Sequence, residues 1–198
     1  MNPVVSKLSP TATRMIRMDH SHVLAQFHKL EPETSATVRG GVLRSICAAL
    51  EIHAQLEEEI FYPALRSAGI QQPELDKAVP EHDEMRRLIE RVRAAGTEGE
   101  QQNDAIYDLM NAVMHHVADE ETKLLPAAEK TLGKERLSEL GAEMTARRLE
   151  LAKPRAGELM LDMAKAAPGK TALATVGVLV AGTMLVNRMR RKRDLLQD

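Results

Sequence analysis

Apolar residues recur along this chain at alternating steps of three and four, the spacing that lines up one face of an α-helix. Leu43, Ile46, Leu50, His53, Glu57 and Ile60 form one such stripe; Ile106, Leu109, Val113, His116, Glu120 and Leu124 form another. Leu75, Val79, His82, Met85, Ile89 and Val92 share a third face, and Ile16, His20, Val23, Leu24 and Phe27 a fourth. Pro32, Gly69, Gly96 and Gly133 punctuate the stripes. The pattern predicts helices over about 11–30, 37–63, 74–95 and 101–132, and a further amphipathic helix over about 135–153. Short polar linkers make consecutive helices antiparallel. The expected fold is therefore all-α: an up-down-up-down four-helix bundle over 11–132, after an N-terminal segment, 1–10. An additional helix and linker are expected over 133–169, and a hydrophobic helix with a basic end over 170–198.

Every one of the four stripes carries a histidine, and two also carry a glutamate. The halves of the bundle repeat each other. His53 and Glu57-Glu58 precede Pro63 at the same spacing at which His116 and Glu120-Glu121 precede Pro126. Asp19-His20 and Glu81-His82 stand upstream at matching distances. This is an internal duplication of a helix pair. Residues four apart lie about one turn apart on one helix face, so each His-x3-Glu unit presents an imidazole and a carboxylate to one point. A bundle core can bring His20, His53, Glu57, His82, His116 and Glu120 together. Buried imidazoles and carboxylates are costly unless compensated. Two metal ions bridged by the carboxylates would compensate them, and this donor set suits iron ahead of zinc, manganese or copper. His22, His28 and His115 fall off the stripes, and Glu58, Glu59 and Glu121 are expected beside the cluster or in solvent.

Composition narrows the function. Aromatics are 2% of the chain and Trp is absent, which disfavours a β-rich core and a base-stacking surface. Net charge is −2, but the basic residues at 187–198 contribute a local +3 and leave −5 on the remainder. No nucleic-acid partner is expected from that balance. The single cysteine, Cys47, excludes an intrachain disulfide and reads as a small core residue. No apolar run in 1–19 is long enough for a signal peptide, so a cytoplasmic protein is expected.

The pattern His20, His53-x3-Glu57, His82, His116-x3-Glu120 resembles the hemerythrin-like, or HHE cation-binding, domain over about 11–132. The runs from Glu57 to Pro63 and from Glu120 to Pro126 are similar too, with Glu121 the alternative to Glu120 as donor. The resemblance implies two non-haem iron ions with an oxo or hydroxo bridge, held by those six residues. It implies a protein that binds or senses dioxygen, nitric oxide or peroxide, or handles iron in stress. Weak peroxidase- or catalase-like activity is compatible with it. Oxygen-carrying members have a fifth histidine one turn from the third; here Ala78 and Arg86 flank His82 instead. That departure shifts the expectation from oxygen storage towards sensing or peroxide and nitric oxide chemistry.

Residues 171–186 form an uncharged apolar run between Lys170 and the cluster from Arg188 to Arg193. As a helix it spans about 24 Å, short of a roughly 30 Å hydrocarbon core. Membrane contact through 170–193 is the expectation, and docking on a partner chain the alternative. Two other functions compete: a two-metal hydrolase, for which no separate base or phosphate loop is visible, and a metal-free helical scaffold.

Overall fold

The computed structural model describes residues 9–31, 33–96 and 99–155. These are helical, with no strand among them. Helix α1 spans Ala12–Phe27, α2 Ala36–Leu56, α3 Tyr62–Ser67, α4 Pro73–Ala94, α5 Glu100–Asp119 and α6 Leu125–Ala152. Two five-residue π-helical turns, Glu57–Phe61 and Glu120–Leu124, join α2 to α3 and α5 to α6. Gly133, at φ 71°, breaks α6 into two helical pieces.

Two apolar clusters mark the ends of the bundle. One joins Met15 and Ile16 of α1 to Leu56 of α2, Leu75 and Ala78 of α4, and Leu124. The other joins Val23 and Phe27 to Val42, Leu43 and Ile46, to Met85 and Ile89, and to Ala105 and Leu109. The start of α1 thus meets the end of α2, the start of α4 and the end of α5. Consecutive long helices therefore alternate in direction, the course expected of a hemerythrin-like bundle. At the second end Arg39, nearly buried, donates from Nε to Gln102 Oε1 at 2.8 Å and also to Asn103, clamping α2 to α5.

The stripes hold, with two informative slips. Val79 is exposed, and Ala78 takes its place in the core. Ile60 is only half-buried, while Phe61 is fully buried. A π turn carries one more residue than an α turn. The buried register after Glu57 therefore moves on by one.

The extra helix is present as the second piece of α6. Leu137, Leu140 and Met144 pack into the first cluster. Gly141 lets this piece touch the start of α1: a Cβ there would lie 2.0 Å from the Pro10 carbonyl oxygen and 3.0 Å from Ala12 N. Thr11 caps α1, its hydroxyl accepting from Arg14 N at 3.4 Å. The hydrophobic run 171–186 and the basic end lie outside the described residues. No helix among the described residues is long and apolar enough to cross a membrane.

Candidate metal centre

The six sequence-predicted residues converge between the two apolar ends, on four different helices and the first residues of both π turns. Each is buried: His20 and His53 are 4% and 3% exposed, His116 and Glu120 2%, and Glu57 and His82 fully enclosed. His53 Nε2 lies 3.2 Å from Glu57 Oε2, and His82 Nε2 3.4 Å from the same oxygen. His20 Nε2 lies 3.3 Å from Glu120 Oε2, His116 Nε2 3.8 Å from it, and His82 Nε2 3.3 Å from His116 Nε2. The rings pair as His20 with His53 and His82 with His116, centroids 4.9 and 4.7 Å apart. His22, His28 and His115 are exposed.

The outward nitrogens reveal a second duplicated pattern. His20 Nδ1 lies 2.9 Å from Glu121 Oε1, and His82 Nδ1 2.8 Å from Glu58 Oε1. His116 Nδ1 lies 2.9 Å from Glu81 Oε2. His53 Nδ1 faces Asp19 Oδ2 at 3.6 Å, within ion-pairing but beyond hydrogen-bonding reach. An ionised carboxylate only accepts, so Nδ1 carries the hydrogen and Nε2 turns a lone pair inward. Each acid serves a histidine on another helix. The Asp19-His20 and Glu81-His82 dipeptides signalled these acids, but their partners depend on the packing. Asp19 is in turn forked by Arg148 of α6, Nη1 to Oδ1 at 2.7 Å. Arg86 donates to Glu58 at 2.6 Å.

Tyr62 is the inner residue that the stripes did not single out. Five positions after Glu57, it would fall off the stripe in an α-helix. The π turn, in which Tyr62 N–H donates to the Glu57 carbonyl, swings it back. Its hydroxyl lies 2.9 Å from Glu57 Oε2, 3.2 Å from Glu120 Oε1 and 3.5 Å from His82 Nε2. The visible signal was Pro63, which supplies no N–H just where the ladder changes register, as Pro126 does in the other half.

As protein alone, the cluster is electrostatically frustrated. Burial, and then the nearby Glu120 charge, push the Glu57 carboxyl well above the ordinary range. Glu120 is held down to about 2 against its burial by a close His20 and the surrounding imidazoles. Burial opposes protonation of His20, yet Glu120 and Glu57 raise it to about 9. Burial lowers His53 to about 4, with Asp19 opposing. His20 Nε2, His53 Nε2, Glu57 Oε1 and Glu120 Oε2 have no hydrogen-bond partner. Two groups, His20 with His53, His116 and Glu120, and His53 with Glu57, His82 and His116, each bring their donor atoms within 4.8 Å of one another. Unsatisfied inward lone pairs on nitrogen and oxygen, backed by acids, suit the binding of a metal cation. Glu81, His115 and Asp119 also approach one another at the surface. There Glu81 is committed to His116, and Asp119 to Lys123 at 2.7 Å.

The model of the hemerythrin HHE cation-binding domain matches residues 11–128. The chain belongs to that family. All six inner residues of this HHE domain, with Tyr62, fall inside the matched span. A "DNA nickase" from Nostoc sp. (strain PCC 7120 / SAG 25.82 / UTEX 2576) is 30% identical over 132 residues, 67% of this chain and 37% of the relative. The HHE chain thus spans little more than a third of that relative's length. No solved structure matches it.

Proposed function

We propose that this HHE domain holds two non-haem iron ions and binds or senses a small oxidant: dioxygen, nitric oxide or peroxide. The observation that carries the reading is the convergence of six buried residues, among which His20, His53, Glu57 and Glu120 turn unpartnered atoms inward, with an acid at the outer nitrogen of each of the four imidazoles. His20 and His53 would hold one ion, His82 and His116 the other, with Glu57 and Glu120 shared between them. When bound, iron supplies the electrons by which a small oxidant is held or reduced. The chain's own groups do the rest. Glu121, Glu58 and Glu81 fix three imidazole tautomers, and Asp19 orients the fourth. Val23, Leu50, Met85, Val113 and Val117 wall a small cavity beside His20, His53 and His116, keeping water from that side.

Histidine-rich ligation favours holding a ligand over oxygenase chemistry, and any peroxidase or catalase turnover is expected to be slow. The activity in the Nostoc relative's name belongs to a much longer protein. A net −5 outside the basic end and the scarcity of aromatic rings place nucleic acid outside the proposed partners. The proposed location is cytoplasmic, with membrane contact through 170–193. Aerobically purified full-length protein should carry two irons per chain and a visible charge-transfer absorption that bleaches on anaerobic reduction. His53→Ala and Glu57→Ala should lose the iron. Iron-free wild-type protein that also fails to take up iron on reconstitution would refute the reading.

A further inference from the structure

The duplication makes one half of the molecule a control for the other. His20 pairs with His82, His53 with His116, Glu57 with Glu120, Asp19 with Glu81 and Glu58 with Glu121. Tyr62 breaks the series, because its counterpart is Leu125. Both follow a π turn, both donate their N–H to the first residue of that turn, and both are buried. The backbone is repeated; the hydroxyl is not.

That hydroxyl stands among the donors as one of them. Its separations from Glu57, Glu120 and His82, 2.9, 3.2 and 3.5 Å, resemble those between the other inner donors. Neighbouring donors around an ion with arms of about 2.0–2.2 Å sit roughly 3 Å apart. The Tyr62 ring stacks on His82, centroids 5.7 Å apart at 22°. Of the positions one turn either side of His82, Ala78 offers only a methyl group, and Arg86 is engaged by Glu58 and Asp83. The small cavity beside His20, His53 and His116, which Asp19 also lines, has no hydroxyl on its wall.

We propose that Tyr62 is a seventh protein donor, bound as phenolate to the cation held by His82 and His116. External ligands are thereby restricted to the His20–His53 side. The proposal rests on the two-iron reading above. On loading, the Tyr62 O–H proton leaves to solvent as the oxygen–metal bond forms, and no electron is transferred. Tyrosine oxygen is an established hard donor to iron(III) in proteins.

Resonance Raman spectroscopy of the full-length ferric protein tests this, alongside metal analysis. Tyr62 and Tyr107 are the two tyrosines of the chain, and Tyr107 is 60% exposed. Tyrosinate–iron modes that shift on ring-deuterated tyrosine labelling, persist in Tyr107→Phe and vanish, per bound iron, in Tyr62→Phe are the expected result. Azide titration should then rise from one bound anion per chain to two in Tyr62→Phe. Two irons in wild-type protein with no tyrosinate modes would overturn the Tyr62 assignment and leave the two-iron reading standing. Protein that takes up no iron would overturn both. The labelled wild-type and Tyr107→Phe spectra decide the matter even if Tyr62→Phe does not fold.

Discussion

Asp19 is held by two groups from different parts of the chain. Its carboxylate is forked by Arg148 and faces His53. Burial alone would raise its pKa, but the Arg148 hydrogen bonds and charge, with His53, hold it well below the usual carboxylate range. A depressed carboxylate stabilises the fold above its unfolded pKa, near 3.9, and loses that contribution as pH falls towards the folded value. Arg148→Met should therefore destabilise the iron-free protein by about 1–3 kcal/mol at pH 7, less than a fully buried pair because both partners are partly exposed. Urea titrations should show this gap unchanged between pH 7 and 5 and narrowing below about pH 4. A gap that widens on acidification would contradict the assignment. Cys47 gives a second test at this scale. Burial raises its thiol to about 11, and only the thiolate is nucleophilic. Alkylation at pH 8 should be nearly silent in native protein and complete in urea, as mass spectrometry can show. Rapid labelling of native protein would mean an opening at α2 that the packing does not contain.

At the scale of elements, what the sequence made legible was whatever repeats with an α-helical period. His20, His53, His82 and His116 were found because each replaces an apolar residue on its own stripe. Glu57 and Glu120 were found because they lie one turn beyond a histidine, on the last residues before the period changes. Past that point the period failed. Phe61 rather than Ile60 is buried, and Tyr62 turns inward, because each π turn inserts a residue that no hydrophobic spacing records. Nor did spacing show which acid meets which histidine: Glu58 reaches His82, and Glu121 reaches His20, from helices distant in sequence. The second piece of α6 was legible as a helix but not as a support for the centre, since Arg148 reaches Asp19 only after docking. Gly141 controls that docking. Gly141→Ala sets a methyl group against the Pro10 carbonyl, which is backbone and has no rotamer to give. Such overpacking typically costs about 1–3 kcal/mol. The melting temperature should fall, and a heteronuclear NMR spectrum should place the largest shifts at 10–12 and along α6. A variant as stable as wild type would mean that α6 sits further from α1.

Across the whole molecule, the donor cluster occupies the middle of the core, where ordinary proteins place leucines. Between the two apolar ends, His20 Nε2, His53 Nε2, Glu57 Oε1 and Glu120 Oε2 lack partners, and each such buried atom costs about 1–3 kcal/mol. A cation pair that binds the folded chain and not the unfolded one removes this cost and adds stability that grows with free metal. Reductive chelation should therefore lower the melting temperature reversibly, and added iron(II) should restore it in a concentration-dependent way. Glu57→Gln separates the centre from the scaffold. In the iron-free protein Glu57 is already pushed towards its neutral form by burial and by Glu120, so the amide should leave stability within about 1 kcal/mol of wild type. In the proposed centre the same substitution removes a shared carboxylate, so the iron-dependent increment should disappear. Paired melts of both proteins, with and without iron, give four values. Wild type should rise on loading, while the variant stays at the height of the iron-free wild type. If both proteins rise equally, the stabilising cation sits elsewhere; if the iron-free variant collapses, Glu57 serves the fold rather than the metal.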